Sequence, residues 1–284
     1  MELLQAMING ILIGGVYALI GVGLTLVFGV MDIVNFAQAE FMMLGMYIAF
    51  FLFQVAGIDP ILSSLIVFGV VFLIGALVQK GLIQRVMNAP MVSQIFLTVG
   101  LTMVLVSTTQ LLFGATFRSV TTSYQMLALH FGHLQFSVPY LIAFGVSITI
   151  YFLLWLFLER TDLGRSMRAT AQNRSAAILV GINDKKMYVL ALGLGTGLAA
   201  SAGAVILPYA YVFPTVGHQY ALIMFTTVVL GGFGSVPGAL LGGIIVGIIQ
   251  SVSSVYLPTQ LQNLVVFIAF IITLVYKPAG LLGR

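Results

Sequence analysis

ERTDLGRSMRATAQNRSAAILVGINDKK, residues 159–186, is the stretch that decides the fold class. It contains half of the charged residues of the chain, namely Glu159, Arg160, Asp162, Arg165, Arg168, Arg174, Asp184, Lys185 and Lys186. The chain as a whole is 61% hydrophobic and only 6% charged. So few polar groups cannot cover a soluble globule, and the long apolar runs predict helices that cross a membrane.

The polar loop, as we call residues 159–186, is predicted to contain a helix. Residues 167–179 are rich in Ala, Arg and Gln, which are good helix formers. Gly181 follows at a position where helices favour a residue that tolerates the left-handed conformation. We therefore predict one short helix at the cytoplasmic surface, ending at Gly181. Such a basic helix suits anionic lipid or a docking partner, and a plain positive-inside loop is the simpler alternative.

The composition narrows the class of protein further. The net charge of +4 does not indicate nucleic-acid binding, because the basic residues are confined to loops. The absence of cysteine excludes disulfides and thiolate metal sites. Gly10 and Gly14 form a small-xxx-small pair that allows close helix packing. We predict a single all-α integral membrane domain, residues 1–284, built as a polytopic bundle of about eight or nine transmembrane helices with broken or re-entrant segments.

The distribution of basic residues predicts the orientation. We interpret residues 80–91 as a cytoplasmic loop and residues 114–137 as an external excursion. Ten of the eleven basic residues then lie in internal segments, and Arg118 alone lies outside, in agreement with the positive-inside rule. Counting about nine crossings back from an internal C-terminus places the N-terminus outside.

Two interruptions occupy corresponding positions in the two halves of the chain. Residues 29–40 place four polar side chains between apolar runs: Asp32, Asn35, Gln38 and Glu40. Residues 231–238 include Gly231, Gly232, Gly234, Ser235 and Pro237. Paired interruptions indicate a translocation site, and a carboxylate at bilayer depth costs about 2.5–3.5 kcal/mol. A cytoplasmic turn is the alternative for the first segment, and ordinary turn chemistry is the alternative for the second. If the first segment were helical, Asp32, Asn35, Phe36 and Ala39 would share one face.

Other chemistry-bearing residues support weaker hypotheses. His130 and His133 have the spacing of a zinc pair but no third ligand nearby, so surface histidines are the better interpretation. Asp32 or Glu40 is a candidate proton or sodium site if the protein is an ion-coupled secondary transporter. Ser235 and His218 do not suit an intramembrane hydrolase, because they lie at opposite ends of one predicted span.

Three stretches together resemble the LivH-type permeases, inner-membrane subunits of bacterial branched-chain amino acid ABC importers. Residues 18–29 and 33–40 are similar to the first family signature, whose second part usually reads INFAHGE; here Gln38 replaces the His and Ala39 the Gly. The polar loop resembles the ATPase-coupling loop, and residues 231–243 resemble the second signature. The C-terminal residues 277–284 also resemble the ending of the family.

The resemblance implies a multi-pass permease in a bacterial or archaeal inner membrane, surrounded by lipid. Its partners would be a homologous second permease, two ATP-binding cassette subunits and an extracytoplasmic solute-binding protein. It would carry branched-chain or other small neutral amino acids, although members of the family also carry urea and short amides. The chain has no GxxxxGK[ST] loop, so we expect ATP to bind to the partner subunits. We expect no catalytic residue, cofactor or metal in this subunit.

The resemblance also implies roles for particular residues. We expect Tyr17, Asn35 and Gln38 to line the substrate path, with Asp32 and Glu40 fixing the broken segment. We expect the ATPase subunits to contact the polar loop through Arg165, Arg168, Ala169, Asn173, Gly181, Ile182 and Asn183.

Overall fold

The protein is an all-α polytopic membrane protein, as predicted. The computed structural model describes residues 2–131 and 134–283. His133 and Arg284 lie outside the described residues, so the possible pair of His130 with His133 is not seen. Within the described ranges, seven helices are long and apolar enough to cross a membrane, and two shorter helices are also apolar. Seven long helices and two shorter ones compare with the eight or nine spans that we predicted.

The helices follow the chain in the order α1 (Glu2–Met31), α2 (Gln38–Ala56), α3 (Pro60–Val78), α4 (Gln84–Val86), α5 (Met91–Phe113), α6 (Val138–Arg160), α7 (Asp162–Gln172), α8 (Arg174–Leu179), α9 (Asp184–Ile206), α10 (Val216–Gly231), α11 (Val236–Tyr256) and α12 (Thr259–Tyr276). A π-helical turn, Gln79–Ile83, joins α3 to α4, and a 3-10 turn, Leu207–Tyr209, follows α9. Strands β1 (Ala128–Phe131) and β2 (Leu134–Ser137) form an antiparallel hairpin.

Two connecting segments differ from the sequence-based prediction. The predicted loop at residues 80–91 is wrong over its first half, because α3 continues as helix through the π turn and α4 to Val86. Gln, Lys and Arg are good helix formers, so the helix extends into this charged segment. The chain turns only before Pro90, where a proline disfavours helix in the preceding residue. The external segment at residues 114–137 contains the β1–β2 hairpin, which we did not predict.

Helix α1 lies at the centre of the bundle and packs mainly against α11, α9 and α6. Its glycines make this possible. A Cβ atom on Gly10 would lie 2.6 Å from the Cα of Ile248, and one on Gly14 would lie 2.7 Å from the Cα of Ile244. The predicted small-xxx-small pair therefore brings the backbones of α1 and α11 into direct contact.

Hydrogen bonds between distant segments show which helix ends share a face of the bundle. Arg118 and Val212 exchange two backbone hydrogen bonds, and the backbone N–H of Gln135 donates to Oε1 of Gln5 at 2.9 Å. The N-terminus, the hairpin segment and the loop after α9 therefore lie together. The backbone N–H of Leu281 donates to the carbonyl of Leu230 on the opposite face, where α10 ends. This arrangement agrees with the orientation predicted from the charges.

Candidate functional site

The first predicted interruption is a real break between α1 and α2. Helix α1 ends at Met31, α2 begins at Gln38, and the residues between them are not helical. Asp32 has a φ of +55°, which is uncommon for a residue other than glycine. The condition under which Asp32, Asn35, Phe36 and Ala39 would share a helical face is therefore not met.

The irregular segment, as we call residues 32–37, runs through the interior of the bundle. At its start, Gly29 lies close to Gly234, which follows the end of α10. Beyond it, Glu40 lies against Gly217 in the first turn of α10. Since α10 has 16 residues, these two points are separated by about 24 Å of helix. A short cytoplasmic turn does not fit this path; non-helical backbone at membrane depth is tolerated where protein buries it or where it lines a cavity.

A buried hydrogen-bond network holds the irregular segment in place. Nδ2 of Asn35 donates to Oε1 of Gln38 at 3.0 Å, and the backbone N–H of Ala37 donates to Oδ1 of Asn35 at 3.1 Å. Nε2 of Gln38 donates to the carbonyl of Gly195, midway along α9, at 2.7 Å. Asn35 and Gln38 are fully buried. In this conformation their polar atoms bind neighbouring protein groups and do not face an open cavity.

Glu40 connects the beginning of α2 to the beginning of α10. Its side chain is 1% exposed, and its Oε1 lies 3.3 Å from Nε2 of His218. Within the described ranges, Oε2 of Glu40 has no hydrogen-bond partner. A helix N-terminus favours a negative charge, and the first turn of α10 supplies one here. Tyr17 also contacts α10, because its ring packs edge-on against the ring of Tyr220. The hydroxyl of Tyr17 donates a hydrogen bond to Gln250 of α11 at 2.6 Å.

The second interruption is a tight turn between α10 and α11. Gly232 and Gly234 have φ values of +105° and +77°, which side chains rarely adopt. Oγ of Ser235 accepts a hydrogen bond from the N–H of Gly238 at 3.1 Å and so caps α11, with Pro237 in its first turn. The backbone N–H of Leu282 donates to the carbonyl of Gly231. The hydroxyl of Ser235 therefore has a structural partner, at the end of α10 opposite His218.

The polar loop contains two helices where we predicted one. Asn173 is extended, with φ −157° and ψ 99°, and separates α7 from α8. Its Oδ1 accepts from the N–H of Ala176 at 3.0 Å. Asparagine competes for backbone hydrogen bonds and favours helix caps over helix interiors, which explains the break. Gly181 has a φ of +88°, so the predicted left-handed residue after the helix is confirmed.

Ion pairs fix the shape of the polar loop. Nη1 of Arg168 lies 2.6 Å from Oε1 of Glu159, and Arg165 pairs with Asp162. Arg174 forms two hydrogen bonds with Oδ2 of Asp184, at 2.8 and 3.0 Å, and these raise the pKa of Arg174. Exposed pairs of this kind contribute at most about 1 kcal/mol each. Their effect is to connect α7 to α6 and α8 to the beginning of α9.

Both breaks and the polar loop converge on one cavity. The cavity has a volume of about 470 Å³, and Asp32, Arg168, Gly234 and Pro237 are among the residues that line it. Phe28 and Phe233 pack beside it with ring centroids 4.5 Å apart. Asn35, Gln38, Glu40 and Tyr17 do not line this cavity, and Asn173 to Asn183 lie further along the loop. The contribution of Trp155 and Glu159 to its wall was not predicted.

An exposed apolar patch marks the end of α8. Ile178, Leu179 and Val180 are 47%, 87% and 77% exposed, although they lie in the most polar part of the chain. The sequence analysis did not single them out. Three consecutive large aliphatic residues inside a hydrophilic loop are the sequence feature that could have identified this patch.

Comparison with known proteins identifies the family. The family model described as "Branched-chain amino acid transport system / permease component" matches residues 6–274. The chain is 30% identical to the high-affinity branched-chain amino acid transport system permease protein LivH of Escherichia coli K12, over 99% of this chain and 96% of the relative. It is equally similar to BraD of Pseudomonas aeruginosa, and it is 28% identical to a probable LivH of Methanocaldococcus jannaschii, over 97% and 91% of the two chains. No solved structure gave a significant match.

A bundle of apolar helices in which two breaks and a polar loop border one cavity is typical of a membrane permease. The family match covers nearly the whole chain. The chain therefore belongs to the family of permease components of branched-chain amino acid transport systems.

Proposed function

We propose that the protein is the transmembrane subunit of an ATP-driven importer for branched-chain or other small neutral amino acids. An extracytoplasmic binding protein delivers the solute, a homologous second permease completes the membrane part, and two ATPase subunits bind the polar loop. The family match over residues 6–274 and the similarity to LivH and BraD support this assignment. The membrane is the inner membrane of a prokaryotic cell.

The cavity shared by both breaks and the polar loop is the observation that carries the proposed mechanism. Arg168 of α7 and Asp32 of the first break line the same space as Gly234 of the second break. A displacement of α7 by a partner therefore acts on both breaks at once. Because the breaks separate helices that cross the membrane, this displacement changes the relative tilt of those helices, as alternating access requires.

The exposed patch on α8 suits a docking partner. Leu179 and Val180 present apolar side chains beside basic residues, and an exposed apolar patch with a polar rim is typical of a protein interface. The ion pair between Arg174 and Asp184 connects this patch to α9, so force on α8 reaches a helix buried in the bundle. We assign the patch, together with Arg165 and Arg168, to the contact with the ATPase.

Substitution of the patch tests the proposed function. In proteoliposomes that contain the whole transporter and enclose ATP on the ATPase side, we expect Leu179→Glu and Arg168→Ala to reduce uptake of radiolabelled leucine at least about tenfold, since removal of one well-packed anchor commonly costs about 2 kcal/mol or more of docking energy. Lys185→Glu, an exposed change in the same loop, is the charge control and retains uptake. Membrane insertion, measured by the yield of monodisperse protein, is expected to be unchanged in all three.

Normal uptake by both Leu179→Glu and Arg168→Ala contradicts the assigned coupling surface. Uptake by this subunit alone, driven by a proton or sodium gradient, contradicts the ATP-driven mechanism. Uptake of urea in preference to leucine by the whole transporter contradicts the proposed solute.

A further inference from the structure

A second cavity lies between α3, α6 and α9. Helices α3 and α9 pack closely along their length, but α6 stands apart from α3 and leaves a cavity of about 630 Å³ between them. Leu65 and Leu153 at its edges are 78% and 57% exposed, so the cavity is open at the apolar surface of the bundle. We call it the α3–α6 groove; its lining includes Ser64, Phe68, Gly145, Thr149, Leu198 and Ser201.

The chemistry of the α3–α6 groove excludes a polar ligand. Its hydroxyl groups already donate hydrogen bonds to backbone carbonyl groups. Oγ of Ser64 donates to the carbonyl of Ile61 at 2.6 Å, and Oγ of Ser201 donates to the carbonyl of Ser64 at 3.2 Å. Oγ1 of Thr149 donates to the carbonyl of Gly145 at 2.8 Å. The remaining wall is aliphatic or aromatic. A zwitterionic amino acid has no partner there, and burial of its charges without partners is prohibitively costly. The groove requires an apolar occupant.

The groove is long enough to hold the acyl chain of a lipid. Its wall on α6 runs from Ile142 to Phe157, a distance of about 22 Å. One leaflet of a bilayer contributes about 15 Å of hydrocarbon, so the groove extends through one leaflet and beyond the midplane.

Two cations lie on the cytoplasmic side of the groove. Arg160 lies seven residues after Leu153, which places it on the groove face of α6, and Lys186 lies in the first turn of α9, eight residues before Leu194 of the groove lining. The three acidic side chains of the polar loop are occupied, because Glu159, Asp162 and Asp184 each pair with an arginine. Among the described residues, Arg160 and Lys186 have no ion-pair partner in that loop. Both side chains are exposed, and both lie at the ends of helices that are flanked by the polar loop.

We propose that the α3–α6 groove is a binding site for one anionic phospholipid of the cytoplasmic leaflet. An acyl chain occupies the groove, and the phosphate headgroup lies between Arg160 and Lys186. Cations next to the membrane attract anionic lipid in general. Contact between one acyl chain and the wall of the groove makes this a specific binding site. This inference goes beyond the proposed transport function and does not depend on it.

A fluorescence experiment tests the site. The chain has a single tryptophan, so Trp155→Phe gives a silent background. Leu153→Trp then places a reporter in the groove, and Leu156→Trp places a control on the same helix outside it. Each purified variant is reconstituted in phosphatidylcholine vesicles that contain a small fraction of brominated phosphatidylglycerol or brominated phosphatidylcholine. Bromine quenches tryptophan on contact.

We expect the groove reporter to be quenched by brominated phosphatidylglycerol with an apparent affinity about 30-fold higher than by brominated phosphatidylcholine, roughly fivefold per cation. Arg160→Gln with Lys186→Gln removes this preference, whereas Lys185→Gln, on the opposite side of α9, retains it. Gly145→Phe fills the groove, where a Cβ meets nothing within 4 Å, and lowers quenching by both lipids; Gly69→Phe, which also points into open space, does not. The control reporter responds to both lipids equally.

Equal quenching of the groove reporter by the two brominated lipids overturns the proposal. So does a preference that survives replacement of both cations. Absence of quenching by either lipid assigns the groove to protein, such as a second subunit, and overturns the proposal as well.

Discussion

At the scale of single residues, Gln38 connects the irregular segment between α1 and α2 to the backbone of α9. It accepts a hydrogen bond from Asn35 within the break and donates one to Gly195 on α9. An amide satisfies both neighbours here because it carries a donor and an acceptor on one planar group.

We expect Gln38→Leu to lower the free energy of unfolding by about 1–3 kcal/mol. The substitution leaves Nδ2 of Asn35 buried without an acceptor, and an unsatisfied buried polar group costs about that amount. Thermal unfolding in detergent, followed by the loss of monodisperse protein, measures the change. Gln54→Leu, at an exposed position on the same helix, is the control and is expected to change stability by less than about 0.5 kcal/mol. Equal effects of the two substitutions contradict the role assigned to Gln38.

At the scale of helices, α1 and α9 approach each other through glycine. A Cβ atom on Gly23 would lie 2.5 Å from the carbonyl oxygen of Gly195 and 2.9 Å from Nε2 of Gln38. Because Gly23 has no side chain, Nε2 of Gln38 can reach the backbone carbonyl of Gly195 on α9. The abundance of glycine predicted close packing in general, but the sequence did not indicate which glycines face each other, because that depends on the relative rotation of helices far apart in the chain.

Gly23→Ala is expected to destabilise the protein by about 1–3 kcal/mol through overpacking between α1 and α9. Gly100→Ala is the matched control, because a Cβ on Gly100 meets nothing within 4 Å and alanine favours helix over glycine by about 1 kcal/mol. Comparison of the two melting temperatures in detergent measures the difference. If Gly23→Ala melts at or above the temperature of Gly100→Ala, the close contact between α1 and α9 is wrong.

The local chemistry of the sequence predicted the helices better than their interruptions. Long apolar runs predicted the spans, and Gly181 and Pro237 have the local roles expected of such residues. Asn173 divides the polar loop because its cap with Ala176 outweighs the helix propensity of its neighbours. The course of residues 32–37 through the bundle follows from contacts with α9 and α10, and no local pattern records such contacts.

At the scale of the whole molecule, the second break, the polar loop and the C-terminal tail lie at one face, where the first break begins, and the hairpin and N-terminus lie at the other. The charge distribution predicted this division, since the polar loop contains most of the basic residues. The sequence predicted that the two breaks occupy corresponding positions in the two halves of the chain. It did not predict that both breaks line the same cavity. The apolar patch on α8 was missed because the analysis of that loop followed its charges.

The absence of cysteine allows a direct test of orientation. We expect Ser175→Cys, in the polar loop, to react with a membrane-impermeant maleimide only in inverted vesicles, because that loop is cytoplasmic. Ser123→Cys, in the segment between α5 and β1, is expected to react only from outside intact spheroplasts. Both serines are exposed, so each variant is the accessibility control for the other. Labelling with the opposite pattern contradicts the orientation.

The irregular segment has a mechanical consequence for the transport cycle. A stretch of chain without helical hydrogen bonds transmits tension along its covalent backbone but bends when it is compressed. Residues 32–37 connect the end of α1, beside Arg168, to the buried beginning of α2, where Glu40 contacts α10. Movement of Asp32 toward the cytoplasm therefore draws α2 away from α10, whereas the opposite movement only slackens the connection. In the proposed transport cycle, the power stroke at this position is therefore a pull, and the return depends on the recoil of the packed helices.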